Sequence, residues 1–63
     1  MSAEHDYNEF MARSNRYMAM AFRCQAEAYR RVDNASMVAH CETLAATYHD
    51  QAAEWDEMAK EAA

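Results

Sequence analysis

A chain of 63 residues with neither glycine nor proline has few ways to reverse direction. Tight turns draw on Gly for positive φ, on Pro for a preset φ, and on Asn, Asp and Ser for side-chain hydrogen bonds to the backbone. A sheet protein needs several such turns, and this alphabet supplies material for about one. The residues that abound instead (Ala, Met, Glu, Gln, Arg) lose least on entering a helix. The sequence therefore predicts an all-α fold.

The place of the turn follows from the same scarcity. Asp6-Tyr7-Asn8-Glu9 reads as a helix start, with Asp6 capping and Glu9 reaching back to the cap. The next polar interruption is Asp33-Asn34-Ala35-Ser36, where side chains compete for backbone hydrogen bonds and Asn34 tolerates a left-handed conformation. The expected fold is an antiparallel two-helix hairpin with helices at about 6–32 and 35–61. It forms a single domain over 1–63, with a flexible N-terminus at 1–5 and a turn near 33–36. One unbroken helix of about 85 Å is the rival. It is disfavoured because the apolar register changes phase at the proposed turn.

Apolar residues at alternating spacings of three and four mark a helix–helix seam. In the first helix they read Tyr7, Phe10, Ser14, Tyr17, Ala21, Cys24, Ala28; in the second, Met37, Cys41, Leu44, Tyr48, Gln51, Trp55, Met58. Folding the chain at residues 32–33 sets Tyr7 against Met58, Phe10 against Trp55, Cys24 against Cys41, and Ser14 against Gln51 as a polar layer. Cys24 and Cys41 then stand as a candidate disulfide pair, but the Cβ separation a disulfide needs and a reducing compartment favour free thiols.

A 63-residue domain buries only about 60% of the surface of its unfolded chain, so a lone hairpin is marginal. Two further stripes suggest how it is supported. The first helix carries Met11, Met18, Phe22, Tyr29 and Val32, and the second carries Val38, Ala45, Ala52 and Ala59. Bulky residues against an alanine groove permit close approach, and the expectation is a homodimer closing as a four-helix bundle.

Charge divides the chain. Residues 1–33 hold five acids and five arginines, whereas residues 34–63 hold six acids and Lys60 alone, which places the whole net charge of −5 in the second half. Asp50, Glu54, Asp56, Glu57 and Glu61 gather toward a helix C-terminus, where the dipole disfavours negative charge. They form a candidate surface for a basic protein partner. Arg13, Arg16, Arg23 and Arg30 form a basic stripe on the first helix, the alternative site for a nucleic-acid-binding module, although Glu9 and Glu27 lie within pairing reach.

His40 and His49 match no arrangement that converges two metal ligands on one helix face; His5 and His49 read as solvated, and His40 as bordering the seam. The cysteines lack a neighbouring base. No catalytic, metal or cofactor residue is assigned, and the chain is read as no enzyme. A metal or redox helical bundle is the third alternative. The N-terminus has no signal peptide, and no apolar run suffices to span a membrane, so the expected location is the cytoplasm. The reading that results is a small acidic protein–protein interaction module: an adaptor, a regulator, or an inhibitor that occludes a partner. In general character it is similar to the small acidic proteins that phages use against host defence nucleases, which would place it in the host cytoplasm, acting on a basic nucleic-acid-binding protein.

Overall fold

The computed structural model describes residues 2–62, which form two α-helices, α1 (Ala3–Arg31) and α2 (Ala35–Ala62), packed against each other as a hairpin. The long axis measures 47 Å, about half the length of the unbroken rod.

The helix ends differ from the sequence reading in detail. Ser2, in an extended conformation, is the N-cap of α1, and its Oγ accepts the His5 backbone N–H at 3.0 Å. The helix therefore begins a turn earlier than Asp6, and residues 3–5 of the segment expected to be flexible are helical. Met1 lies outside the described residues. At the other end the turn is a Schellman motif. The Asn34 N–H donates to the Tyr29 carbonyl at 3.0 Å and the Asp33 N–H to that of Arg30 at 3.2 Å, with Asp33 left-handed at φ 55°. Asp33, not Asn34, takes that conformation. Asn34 instead caps α2, its Oδ1 accepting the Met37 N–H at 3.2 Å. Three residues thus end one helix and start the next.

The faces in contact are the main correction. In α1 the buried residues are Asn8, Ala12, Asn15, Ala19 and Ala26, with Phe22 and Tyr29 half-buried on the same line. In α2 they are Cys41, Ala45, Ala52 and Ala59, with Val38, Tyr48 and Trp55 half-buried among them. Each set keeps the alternating three-and-four spacing, so the periodicity holds while the α1 register is wrong. Every α1 residue of the expected seam (Tyr7, Phe10, Ser14, Tyr17, Ala21, Cys24, Ala28) is exposed. On α2 the expected seam is right at Cys41, Tyr48 and Trp55, and Gln51 is exposed.

Alanine explains the choice. Methyl side chains let two helix backbones come closer than Leu or Phe permit, which brings the flanking Phe22 and Tyr48 into a parallel stack with ring centroids 5.6 Å apart. The polar layer expected at Ser14 and Gln51 is supplied by Asn8 and Asn15, both buried. The Asn15 Nδ2 donates to the Met11 carbonyl at 2.8 Å, so its amide is satisfied within its own helix. The interior is thin, and its largest fully buried side chain is Cys41.

Candidate interaction surfaces

With α1 and α2 sealed along their alanine faces, the hairpin presents two long edges and two outer faces. One edge is ionic. Arg16 pairs with Asp56 at 2.7 Å, and Arg30 reaches Glu42 at 3.4 Å while also bonding Glu27 in its own helix. Arg31 joins Glu27 at 3.2 Å. Two of the four arginines of the basic stripe are therefore taken up in joining the helices. Among the described residues Arg13 and Arg23 pair with no carboxylate, and the Arg13 guanidinium lies 5.1 Å above the Phe10 ring.

The opposite edge is apolar. Tyr7 meets Trp55 edge to face, with centroids 5.8 Å apart, and Met11, Met18 and Leu44 continue the surface on either side. Antiparallel helices set like flanks together, which is why arginines of α1 meet acids of α2 on one side and aromatics meet aromatics on the other.

The outer face of α2 carries Asp50, Glu54, Glu57 and Glu61, all exposed. Their spacings of four, three and four place them on one line, turned about 180° from the alanine face at 100° per residue. Asp56, which the sequence reading grouped with them, lies off this line and is bound to Arg16. Lys60 holds Glu57 at 3.2 Å and is the one lysine along the stripe.

The outer face of α1 is the surface the sequence reading missed. Phe10, Ser14, Tyr17, Ala21, Cys24 and Ala28 run along it, with Arg13 beside Phe10. Phe10 and Tyr17 are 62% and 63% exposed and Tyr7, beside them, 58%. With Arg13, Met18, Ser14 and Ala21, Phe10 and Tyr17 border an open groove of about 490 Å³. The sequence carries the signal, a three-and-four apolar spacing over residues 7–28, but that spacing alone does not say whether the stripe faces α2 or solvent.

The residues expected to join two copies are placed differently. Val38, Ala45, Ala52 and Ala59 belong to the hairpin interior, as do Phe22 and Tyr29 in part. Of that group Met18 is exposed at the edge of the α1 outer face, and Met11 is half-buried beside it. Cys24 and Cys41 are free thiols on different faces, Cys24 exposed and Cys41 buried with its Sγ 3.9 Å from the Gln25 Oε1. The register shift in α1 separates them.

His5 was read as solvated and is instead half-buried. Its Nδ1–H donates to the Ala59 carbonyl at 2.8 Å, and Nε2 lies 3.2 Å from Glu9. With Asp6 these residues form a group of three ligand types within 4.8 Å of one another. The imidazole is engaged in tying the first turn of α1 to the last turn of α2, and that structural role accounts for its position. Among the described residues no helix is long and apolar enough to cross a membrane. Comparison with protein families, characterised proteins and solved structures gives no match to this chain.

Proposed function

We propose that this chain is a small acidic protein–protein interaction module, an adaptor, regulator or occluding inhibitor, that works in the cytoplasm as a homodimer and engages a basic protein partner. It performs no catalysis in this reading. The observation that carries it is the line of four carboxylates, Asp50, Glu54, Glu57 and Glu61, on the exposed face of α2 opposite the hairpin interior. Like charges at this spacing repel one another, and near a helix C-terminus they oppose the dipole. The arrangement works against stability, and a role in recognition accounts for its presence. A straight acidic ridge steers association with a basic surface and suits an inhibitor that covers a nucleic-acid-binding face, as in phage proteins directed at host nucleases.

The test is capture from the native host by the parent chain and by a variant carrying Asp50→Asn, Glu54→Gln, Glu57→Gln and Glu61→Gln. Recovery of one basic protein by the parent alone is the expected result. Equal recovery by the two chains removes the acidic ridge from the function, and recovery of nucleic acid instead moves the function to the arginine stripe. That second reading is the weaker because Arg16 and Arg30 are committed to Asp56 and Glu42.

A further inference from the structure

The outer face of α1 is long and mostly apolar, with Arg13 the charged residue bordering its groove, and three features of it and of the chain bear on what covers it. The first is the overall shape. A compact domain of this length has a radius of gyration of roughly 11 Å, and the hairpin measures 14.4 Å, so it is one layer of helices with a face to spare. The second is area. Tyr7, Phe10 and Tyr17, each about three-fifths exposed, together leave roughly 400 Å² open at the usual size of aromatic side chains. Two copies meeting here cover about 800 Å² from these rings, and the intervening residues carry the total past the roughly 1,000 Å² expected of a specific interface.

The third feature identifies the partner. The stripe is bulky toward its N-terminus (Tyr7, Phe10, Tyr17) and small toward its C-terminus (Ala21, Cys24, Ala28). A stripe graded in this way is complementary to itself turned end for end. Antiparallel pairing sets Phe10 against the partner's Ala28, Tyr17 against the partner's Ala21, and Ser14 against the partner's Cys24, so that Phe10 and Tyr17 each meet a small residue and the notch over Ser14 is filled, while Tyr7, at the rim, comes level with the partner's Arg31. The same register sets Arg13 level with the partner's Gln25. Parallel pairing stacks ring on ring at one end and leaves alanines facing across a gap at the other. Pairing through α1 in either orientation leaves the acidic ridges on the α2 outer faces on opposite outsides of the assembly, so net charge permits it.

We infer that α1 binds α1 of a second copy through this stripe, antiparallel about a two-fold axis near Ala19, giving four helices with the α1 pair inside and the α2 pair outside. This deepens the homodimeric part of the proposed function and is independent of its acidic ridge.

Thiol trapping with Ser14→Cys tests it. Position 14 is exposed in the hairpin, and pairing brings it to the partner's Cys24 within the roughly 4 Å between Cβ atoms that a disulfide requires. Under mild oxidation the variant is expected to pass largely into a covalent dimer. The parent chain is not, because its two Cys24 residues lie about 15 Å apart along the axis and Cys41 is buried. Adding Phe10→Asp should abolish trapping, and the untouched parent should sediment as a dimer at micromolar concentration. A parent chain that sediments as a monomer, or that links through its own Cys24 as parallel pairing requires, overturns the inference. Repeating the trapping with the four-amide variant separates the two proposals: a dimer retained while capture is lost is the result both expect, a dimer retained with capture unchanged overturns the acidic ridge alone, and no covalent dimer while the parent still captures its partner overturns the α1 pairing alone.

Discussion

Phe22 lies flat against Tyr48, their planes 7° apart, in the middle of an interface whose buried residues are mostly alanine. Where methyl groups bring two backbones together, one such stack supplies a large share of the apolar contact. Phe22→Ala is therefore expected to destabilise the hairpin by about 2 kcal/mol, below the 3–5 kcal/mol of a fully buried phenylalanine because the ring is half-buried. Urea denaturation measures it, and a loss under about 0.5 kcal/mol would show that the stack is incidental.

Close approach also makes the alanines intolerant of size. Ala52→Leu forces the helices apart and should cost about 1–3 kcal/mol or more, while Ala46→Leu, exposed on the same helix, should be nearly neutral. Thermal unfolding of the pair decides the matter. Equal melting temperatures would contradict an interface at Ala52.

The turn holds a residue in a conformation that costs side-chain-bearing residues about 1–2 kcal/mol, less for Asp. Asp33→Gly should raise stability by several tenths of a kcal/mol to about 1 kcal/mol. Asn34→Ala, which removes the α2 cap, should lower it by about 1 kcal/mol. A destabilised glycine variant would mean that the Asp33 side chain has a contact outweighing its backbone cost.

Neutralising the ridge should stabilise the fold even as it abolishes capture. Replacing Asp50, Glu54, Glu57 and Glu61 by amides relieves repulsion and the unfavourable dipole interaction, for a few tenths of a kcal/mol at each position. The gain should shrink as salt is raised from 0.01 M to 1 M. A gain unchanged by salt would point to helix propensity instead of charge.

The hairpin and the position of its turn were legible because a chain without Gly or Pro has Asp33-Asn34 as its best reversal. The α2 line of Cys41, Tyr48 and Trp55 was legible for a related reason, since apolar size and interior position coincide at those three residues, though not at Ala45, Ala52 and Ala59. On α1 they do not coincide. Two stripes there satisfy the same three-and-four spacing, and ranking them by bulk selects Tyr7, Phe10 and Tyr17 over Asn8, Ala12, Asn15 and Ala19. Asparagine at two inner positions made the true stripe look solvated. What decides between them is the distance between backbones, which periodicity does not encode, and the error at α1 carried the cysteine pairing with it.

The Ser2 Oγ donates to the Ala62 carbonyl at 3.3 Å, so the two ends of the described chain meet at the tip farthest from the turn. A linker of a few residues could join them, and new ends cut at Val32–Asn34 would then leave every interhelical contact intact. The same geometry lets a longer polypeptide carry this unit as a side arm, entered and left at a single point, with its length projecting clear of whatever bears it.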